Sequence, residues 1–232
     1  MLGIIPARGG SKRLPGKNIA PTAGKPLISW TIDVALEAAF IDKVLLSTDD
    51  INIKQIGSSL GVDEVIVRPA SLAQDTIPTS SVLLHALSVL EERGESFGYL
   101  VLLQPTSPLR TVEDVDKAFE LMDKMNGIGV VSVCRSEHPK EWIGHISTDG
   151  YLETFIEQTE LGKQSQELLP AYQVNGAIYI VPVSQFLEAK TVFLRGRMVA
   201  YVMDRKSSVD IDEEYDLLLA EWLLMQRDTV KN

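Results

Sequence analysis

Apolar residues along this chain gather first in short, nearly unbroken runs. Segments 2–6, 43–47, 64–67, 99–104 and 128–134 are rich in Val, Ile and Leu, the pattern of strands covered on both faces. Between them, apolar positions recur at helical spacing over 27–39, 51–60, 80–92 and 112–125. Ile32, Ala35, Leu36 and Ala39 trace one face of the first of these helices. Gly61 and Gly94 stand where helix C-caps are expected. This alternation predicts βαβ units and a mainly parallel sheet. After Ser136 the rhythm breaks. Residues 138–173 are more polar, with a hairpin signal at Asp149-Gly150, and read as an inserted arm rather than a second globular unit. A strand over 174–182, a short helix over 184–189, a strand over 198–202 and an amphipathic helix over 213–226 follow. The expected fold is α/β, a three-layer α/β/α domain over 1–232 with a mainly parallel, Rossmann-like sheet and a small arm.

Composition narrows the classes. The chain has 232 residues, is 45% hydrophobic and carries a net charge of −10. The apolar fraction suffices for a sizeable core. The acidity argues against a nucleic-acid or membrane-surface binder, which needs a basic face. No apolar run approaches the ~20 residues that span a bilayer, and the first apolar run is too short for a signal peptide. The single cysteine, Cys134, has no intramolecular partner and ends an apolar run, so it is expected to be a small buried hydrophobe. These features predict a cytoplasmic protein.

Against that acidic background, residues 8–18 (RGGSKRLPGKN) concentrate Arg8, Lys12, Arg13 and Lys17 among three glycines directly after the first strand. Glycine permits positive φ and close ligand approach, and successive backbone N–H groups can cradle an anion. The stretch therefore predicts a polyphosphate site. It is neither GxxxxGK[ST] nor GxGxxG. A second stretch, LLQPTSPLR, ends a strand in Gln104 and then offers Thr106, Ser107 and Arg110 beside two stiffening prolines, with Thr111 as the N-cap of the next helix. In a third, Asp210 and Asp212 alternate on an extended segment and face one side. Such a pair suits Mg²⁺, which takes a few protein ligands plus phosphate oxygens and water. Glu213, Glu214 and Asp216 read as helix N-terminal acids. Asp49 and Asp50 are either ribose ligands or a helix cap. Thr79 is either an N-cap or a hydrogen-bonding group for a base. His85 lies in an apolar helix, and His138 and His145 lack partners at zinc spacing.

Taken together, IPARGGSKRLPGKN, LSTDD, RPASLAQDTIPTSS, LLQPTSPLR, NGAIY and DID, in that order, resemble the CMP-sialic acid synthetases, the acylneuraminate cytidylyltransferases, over essentially the whole chain. The resemblance implies a nucleotidyltransferase fold and a Mg²⁺-dependent enzyme. It would activate an acidic nine-carbon (nonulosonic) sugar with CTP, releasing pyrophosphate, in the supply of surface polysaccharide. It implies that Arg8, Ser11, Lys12 and Lys17 hold the CTP phosphates, and that Asn18, Arg68 and Thr79 recognise cytosine and neighbouring groups. Gln104, Thr106, Ser107 and Arg110 would line the sugar end, and Asn175 and Tyr179 the sugar pocket. Asp210 and Asp212 would ligate Mg²⁺, with Arg8, Lys12, Lys17 and Asp212 the catalytic set. It further implies a homodimer in which an arm at 138–170 crosses to the partner and Phe193 reaches the partner's sugar site. Two departures bear on the sugar. Ser165 and Gln173 stand where sialate-activating members often carry Arg, and Val174 replaces a usual Pro. Legionaminate and pseudaminate are therefore alternatives, with the eight-carbon sugar KDO or a non-catalytic nucleotide-binding domain as more distant ones.

Overall fold

β1 (Leu2–Pro6) runs straight into the core in the computed structural model, which describes residues 1–153, 163–164 and 167–230. The hairpin β2 (Pro21–Thr22) and β3 (Lys25–Pro26) leads into α1 (Leu27–Glu37). Then follow β4 (Lys43–Thr48), α2 (Ile51–Leu60), β5 (Glu64–Val67), α3 (Thr79–Glu91), β6 (Tyr99–Leu102), α4 (Val112–Lys124) and β7 (Gly129–Arg135). A second hairpin, β8 (His145–Ile146) and β9 (Leu152–Glu153), precedes β10 (Tyr172–Pro182), α5 (Val183–Ala189), β11 (Met198–Met203) and α6 (Glu214–Val230). Among the described residues the main sheet has seven strands in the order β11-β7-β10-β6-β1-β4-β5. Every pairing is parallel except those of β10, which is antiparallel to both β6 and β7. The cause is topological: the chain leaves β7 at the sheet's carboxyl edge and re-enters the sheet from that edge.

Helices cover both faces. Ile28, Ile32 and Ala35 of α1, Ile53 of α2 and Val115 and Ala118 of α4 pack on Ile5, Val44, Leu46 and Val101. Leu83, Ala86 and Leu90 of α3 and Phe186 of α5 pack on Leu2, Ile4, Leu45 and Leu102 from the other side. Successive strand residues thus point to opposite layers, each filled. A third cluster of Leu27, Leu109, Ile211, Ala220 and Leu224 fastens α6 and the segment before it to the start of α1 and the loop after β6. That cluster fixes where the two acids of the DID motif stand.

The expected elements are present, with local differences. The buried face of α1 is Ile28, Ile32 and Ala35; Leu36 is 39% exposed and Ala39 lies beyond the helix. β6 ends at Leu102, because Pro105 has no amide to continue a ladder. β10 starts two residues before the predicted strand. Pro78 holds the N-cap position of α3 and Thr79 is its first helical residue, so Thr79 is not a cap. Thr111 caps α4 in a reciprocal box with Asp114. Gly61 closes α2 at φ +82 and Gly150 turns the β8–β9 hairpin. Cys134 is buried as expected. No helix among the described residues is long and apolar enough to cross a membrane.

Candidate functional site

The loops after β1, β5 and β6 and the segment before α6 enclose one open cleft at the carboxyl edge of the parallel strands, where ligands bind in open α/β sheets. Arg8, Ser11, Lys17 and Asn18 enter it from the glycine-rich loop, Arg68, Asp75 and Thr79 from the stretch between β5 and α3, and Gln104 and Thr106 from the exit of β6. Asp210 and Asp212 close the far wall. The glycine loop is held by its own polar groups. Asn18, 7% exposed, donates through Nδ2 to the Arg8 carbonyl at 2.9 Å. Gly9 donates its N–H to Asp49 at 3.2 Å. A Cβ on Gly9 would stand 2.6 Å from Asp50 Oδ2, so only glycine lets the loop pass there. Gly16 adopts φ +68 and starts the short turn that carries Lys17.

The loop's cations meet acids from both sides. Lys17 Nζ lies 3.3 Å from Asp212 Oδ1 and also donates to the Ile211 carbonyl. Arg13 Nη1 lies 3.0 Å from the other Asp212 oxygen. Arg8 pairs with Asp75, and Lys12 Nζ lies 2.9 Å from the second Asp75 oxygen. Asp216 accepts from the Asp212 and Glu213 amides at 3.0 and 2.9 Å, setting the approach to α6. Burial pushes the Asp210 carboxyl above the usual range, and Asp212 and Asp216 add to this, while Thr106 and Lys17 oppose it.

Asp49 and Asp50 divide their tasks. Asp50 caps α2, accepting from the Asn52 and Ile53 amides at 2.7 and 3.0 Å. Asp49 faces the glycine loop and lies 3.7 Å from Arg68 Nη2. The Arg68 side chain is only 4% exposed, yet its Nε and Nη2 have no hydrogen-bond partner. Burial lowers its pKa, Asp49 opposes that, and Arg8 adds to it. Buried donors without acceptors are costly, and these line the cleft.

At the opposite end Gly176, at φ +74, is the pivot. A Cβ there would sit 2.7 Å from Gln104 Oε1 and 3.5 Å from both Asp210 Oδ2 and Ser107 Oγ. The β10 register shifts between Val174 and Tyr179, which makes room for this turn. Gln104 and Thr106 line the cleft; Ser107 is buried and donates to the Asn175 carbonyl at 3.4 Å. Arg110 is not a lining residue. It is 1% exposed and donates to the Ala177 carbonyl at 2.6 Å and to Thr31 Oγ1 at 2.8 Å, beneath the cleft floor. Burial pulls its pKa down to about 9, and Asp114 opposes that. Asn175 is likewise turned inward. It accepts from Ser132 Oγ at 2.6 Å and donates to Ser208 Oγ at 2.9 Å, tying β10 to the strand-to-acid connection. The resemblance implies that both residues meet the sugar; instead the protein's own groups take both Arg110 terminal nitrogens and the Asn175 amide, while Arg110 Nε is buried without a partner. Tyr179 is buried, its pKa pushed up to about 12 by burial and by Asp210. Phe193, 52% exposed, packs edge-on against Tyr179 with ring centroids 5.8 Å apart. Gln173 is exposed on β10 opposite Cys134, and Ser165 lies outside the described residues, as does part of the 138–170 arm. Sequence reasoning missed Asp75 as the partner of Arg8 and Lys12 and Gly176 as the pivot; the acid in DTIP and the glycine of NGAIY were the available signals.

Two carboxylates one residue apart suit a divalent cation that arrives with phosphate oxygens. The raised carboxyl of Asp210 beside Asp212 and Asp216 is the environment a cation would relieve. No group of three or more His, Cys, Asp or Glu side chains among the described residues could cage a metal by itself. Asp210 and Asp212 are the residues that would hold a divalent ion arriving with a nucleotide.

The sheet, its carboxyl-edge cleft and the cationic glycine loop define an α/β protein of the nucleotidyltransferase type. Residues 2–169 match the family profile described as Cytidylyltransferase, and the chain belongs to that family. It is 35% identical over 232 residues to an N-acylneuraminate cytidylyltransferase of Escherichia coli O18:K1:H7, covering 100% of this chain and 54% of the relative. It therefore spans about half the length of that protein. It is 34% identical over 226 residues to a CMP-N,N'-diacetyllegionaminic acid synthase of Legionella pneumophila, covering 97% of this chain and 96% of the relative. Among solved structures, CMP:2-keto-3-deoxy-manno-octonic acid synthetase complexed with CTP shares the fold, with a TM-score of 0.68 at 19% identity over 97% of this chain and 98% of that one.

Proposed function

We propose that the chain is a Mg²⁺-dependent cytidylyltransferase that joins CTP to a nonulosonic, sialic-type acid, yielding the CMP-sugar and pyrophosphate. The observation that carries this reading is the meeting of Lys17 and Asp212, 3.3 Å apart, in a cleft shared with Arg8, Asn18, Arg68 and Asp210. Cations suited to phosphate and acids suited to a divalent ion thus converge at the edge of the sheet where ligands bind.

In this reading Arg8, Ser11, Lys12 and Lys17 take the phosphates. Asn18, Arg68 and Thr79 face the base, the unpartnered Arg68 donors supplying hydrogen bonds to cytosine acceptors. Gln104 and Ser107, packed about Gly176, and Thr106 on the cleft wall form the sugar end. Asp210 and Asp212 hold Mg²⁺, which when bound neutralises charge on the phosphates. The sugar's anomeric hydroxyl attacks the α-phosphorus in line, and Arg8, Lys12 and Lys17 stabilise the departing pyrophosphate. Arg110 and Asn175 act behind the site, fixing the Gln104 and Gly176 backbones. The chain works in the cytoplasm as a homodimer. Exposed Ile146, Tyr151 and Leu152 of the β8–β9 hairpin and exposed Phe193 support a partner-facing arm, which light scattering would test.

A pyrophosphate-release assay with CTP and N-acetylneuraminic, legionaminic, pseudaminic and KDO acceptors tests the reading. Release with a nine-carbon acid is expected; release with none favours a non-catalytic nucleotide-binding domain. The Legionella relative, almost the same length as this chain, makes a legionaminic-type acid the second acceptor to examine.

A further inference from the structure

The phosphate end of the cleft carries an acid of its own. Asp75, in the loop before α3, places one oxygen on Arg8 and the other 2.9 Å from Lys12 Nζ, and it lines the same cleft as Ser11 and Lys17. A carboxylate spanning two cations in this way imitates two oxygens of a phosphate. Lys12, and after it Arg8, hold the Asp75 carboxyl below the usual range, so it stays anionic at neutral pH. A phosphate that takes Arg8 and Lys12 must therefore displace Asp75 or lie beside its charge, and either weakens binding.

We propose that Asp75 is a resident competitor for the pyrophosphate moiety: it occupies Arg8 and Lys12 before nucleotide enters and retakes them as pyrophosphate leaves. The proposal rests on the reading that this cleft holds the CTP phosphates. Asp75 lowers affinity at one end of the nucleotide only. CTP keeps its contacts to base and sugar, whereas released pyrophosphate has none and is the species that the competition expels. A tethered carboxylate is always at high local concentration, so the competition needs no second ligand, and salt weakens it because Lys12 is exposed.

Isothermal titration of the full chain in EDTA, with pyrophosphate, CTP and CMP as probes, tests this. Asp75→Asn and Asp75→Ala are expected to bind pyrophosphate roughly 3- to 10-fold more tightly than the parent at low salt. The gain shrinks at high ionic strength. Asp75→Glu, which keeps the charge, stays near the parent, and CMP, lacking the β and γ phosphates, binds all variants alike. In turnover, pyrophosphate becomes a stronger product inhibitor of Asp75→Asn. If Asp75 merely orients Arg8 and Lys12, Asp75→Asn binds pyrophosphate equally or more weakly, and the proposal is overturned. If the parent binds CTP while Asp75→Asn gains nothing, this proposal alone fails. If the parent binds neither CTP nor pyrophosphate even with Mg²⁺ in place of EDTA, the functional reading fails with it.

Discussion

Lys17 Nζ and Asp212 Oδ1 lie 3.3 Å apart across 195 positions of sequence. Lys17 is set by the turn that begins at Gly16, and Asp212 by Ile211, which is buried in the cluster beneath α6. In the proposed function, the cation that takes a phosphate thus rests on the acid that holds Mg²⁺ until a nucleotide draws it away. Lys17→Met is expected to lower kcat/KM for CTP by about 100-fold, the usual loss when one charge-stabilising donor is removed. Steady-state pyrophosphate release measures this, and a variant within threefold of the parent would count against the assignment.

Asp210→Asn separates stability from activity. Burial, with Asp212 and Asp216, raises the Asp210 pKa, so the folded chain resists ionisation more than the unfolded one. Stability then falls as pH rises from the ordinary carboxylate value through the raised one. Removing the charge is expected to raise Tm at neutral pH by roughly 1–3 °C, while activity collapses and added Mg²⁺ fails to restore it. EDTA should likewise stop the parent enzyme, with Mg²⁺ reversing the loss. A lower Tm for Asp210→Asn in differential scanning fluorimetry contradicts this account.

A network remote from the cleft sets a distinct pH dependence. Lys43 Nζ lies 2.9 Å from Glu64 and 2.7 Å from Glu95, and Arg93 also pairs with Glu64. Burial pushes the Glu64 carboxyl up, but Lys43 and Arg93 outweigh it and hold the pKa below the ordinary value. A lowered acid contributes stability that is complete above the unfolded value and is lost as pH falls through the folded one. Glu64→Gln should cost about 1 kcal/mol at pH 7. The gap to the parent should close on acidification below the ordinary glutamate range, as urea unfolding at several pH values would show.

Arg110 is a buried cation bonded to the Ala177 carbonyl and Thr31 Oγ1, with the Gln104 carbonyl at 3.4 Å. Arg110→Met removes this donor from the Ala177 carbonyl and Thr31 Oγ1, while Ser107 and Thr31 still donate to the Gln104 carbonyl; the expected cost is roughly 2–4 kcal/mol in urea unfolding. In the same variant KM for the sugar is expected to rise more than KM for CTP, because Arg110 holds the Gln104 and Ala177 carbonyls at the proposed sugar end. Equal shifts in both constants would mean that the effect is general loosening.

Gly176→Ala tests the pivot. The positive φ and the 2.7 Å approach to Gln104 Oε1 impose strain of about 1 kcal/mol or more on any side chain. The expected result is a several-fold rise in sugar KM with CTP binding unchanged in titration. An unchanged sugar KM would place the acceptor elsewhere.

The strands, helices, glycine loop and acid pair were legible along the chain because each depends on neighbours a few residues away: a period, a cap, a run of one residue type. Asp50 as a cap and Thr111 with Asp114 are such local features. Only the tertiary structure turned Arg110 beneath the floor, engaged Asn175 with Ser132 and Ser208, and set Asp75 against Arg8 and Lys12. It also made β10 antiparallel. Local patterning says which residue types meet an edge of the sheet. The route of the chain between distant strands decides which side chain turns into the cleft and which into the core, and that route is fixed by packing on both faces at once.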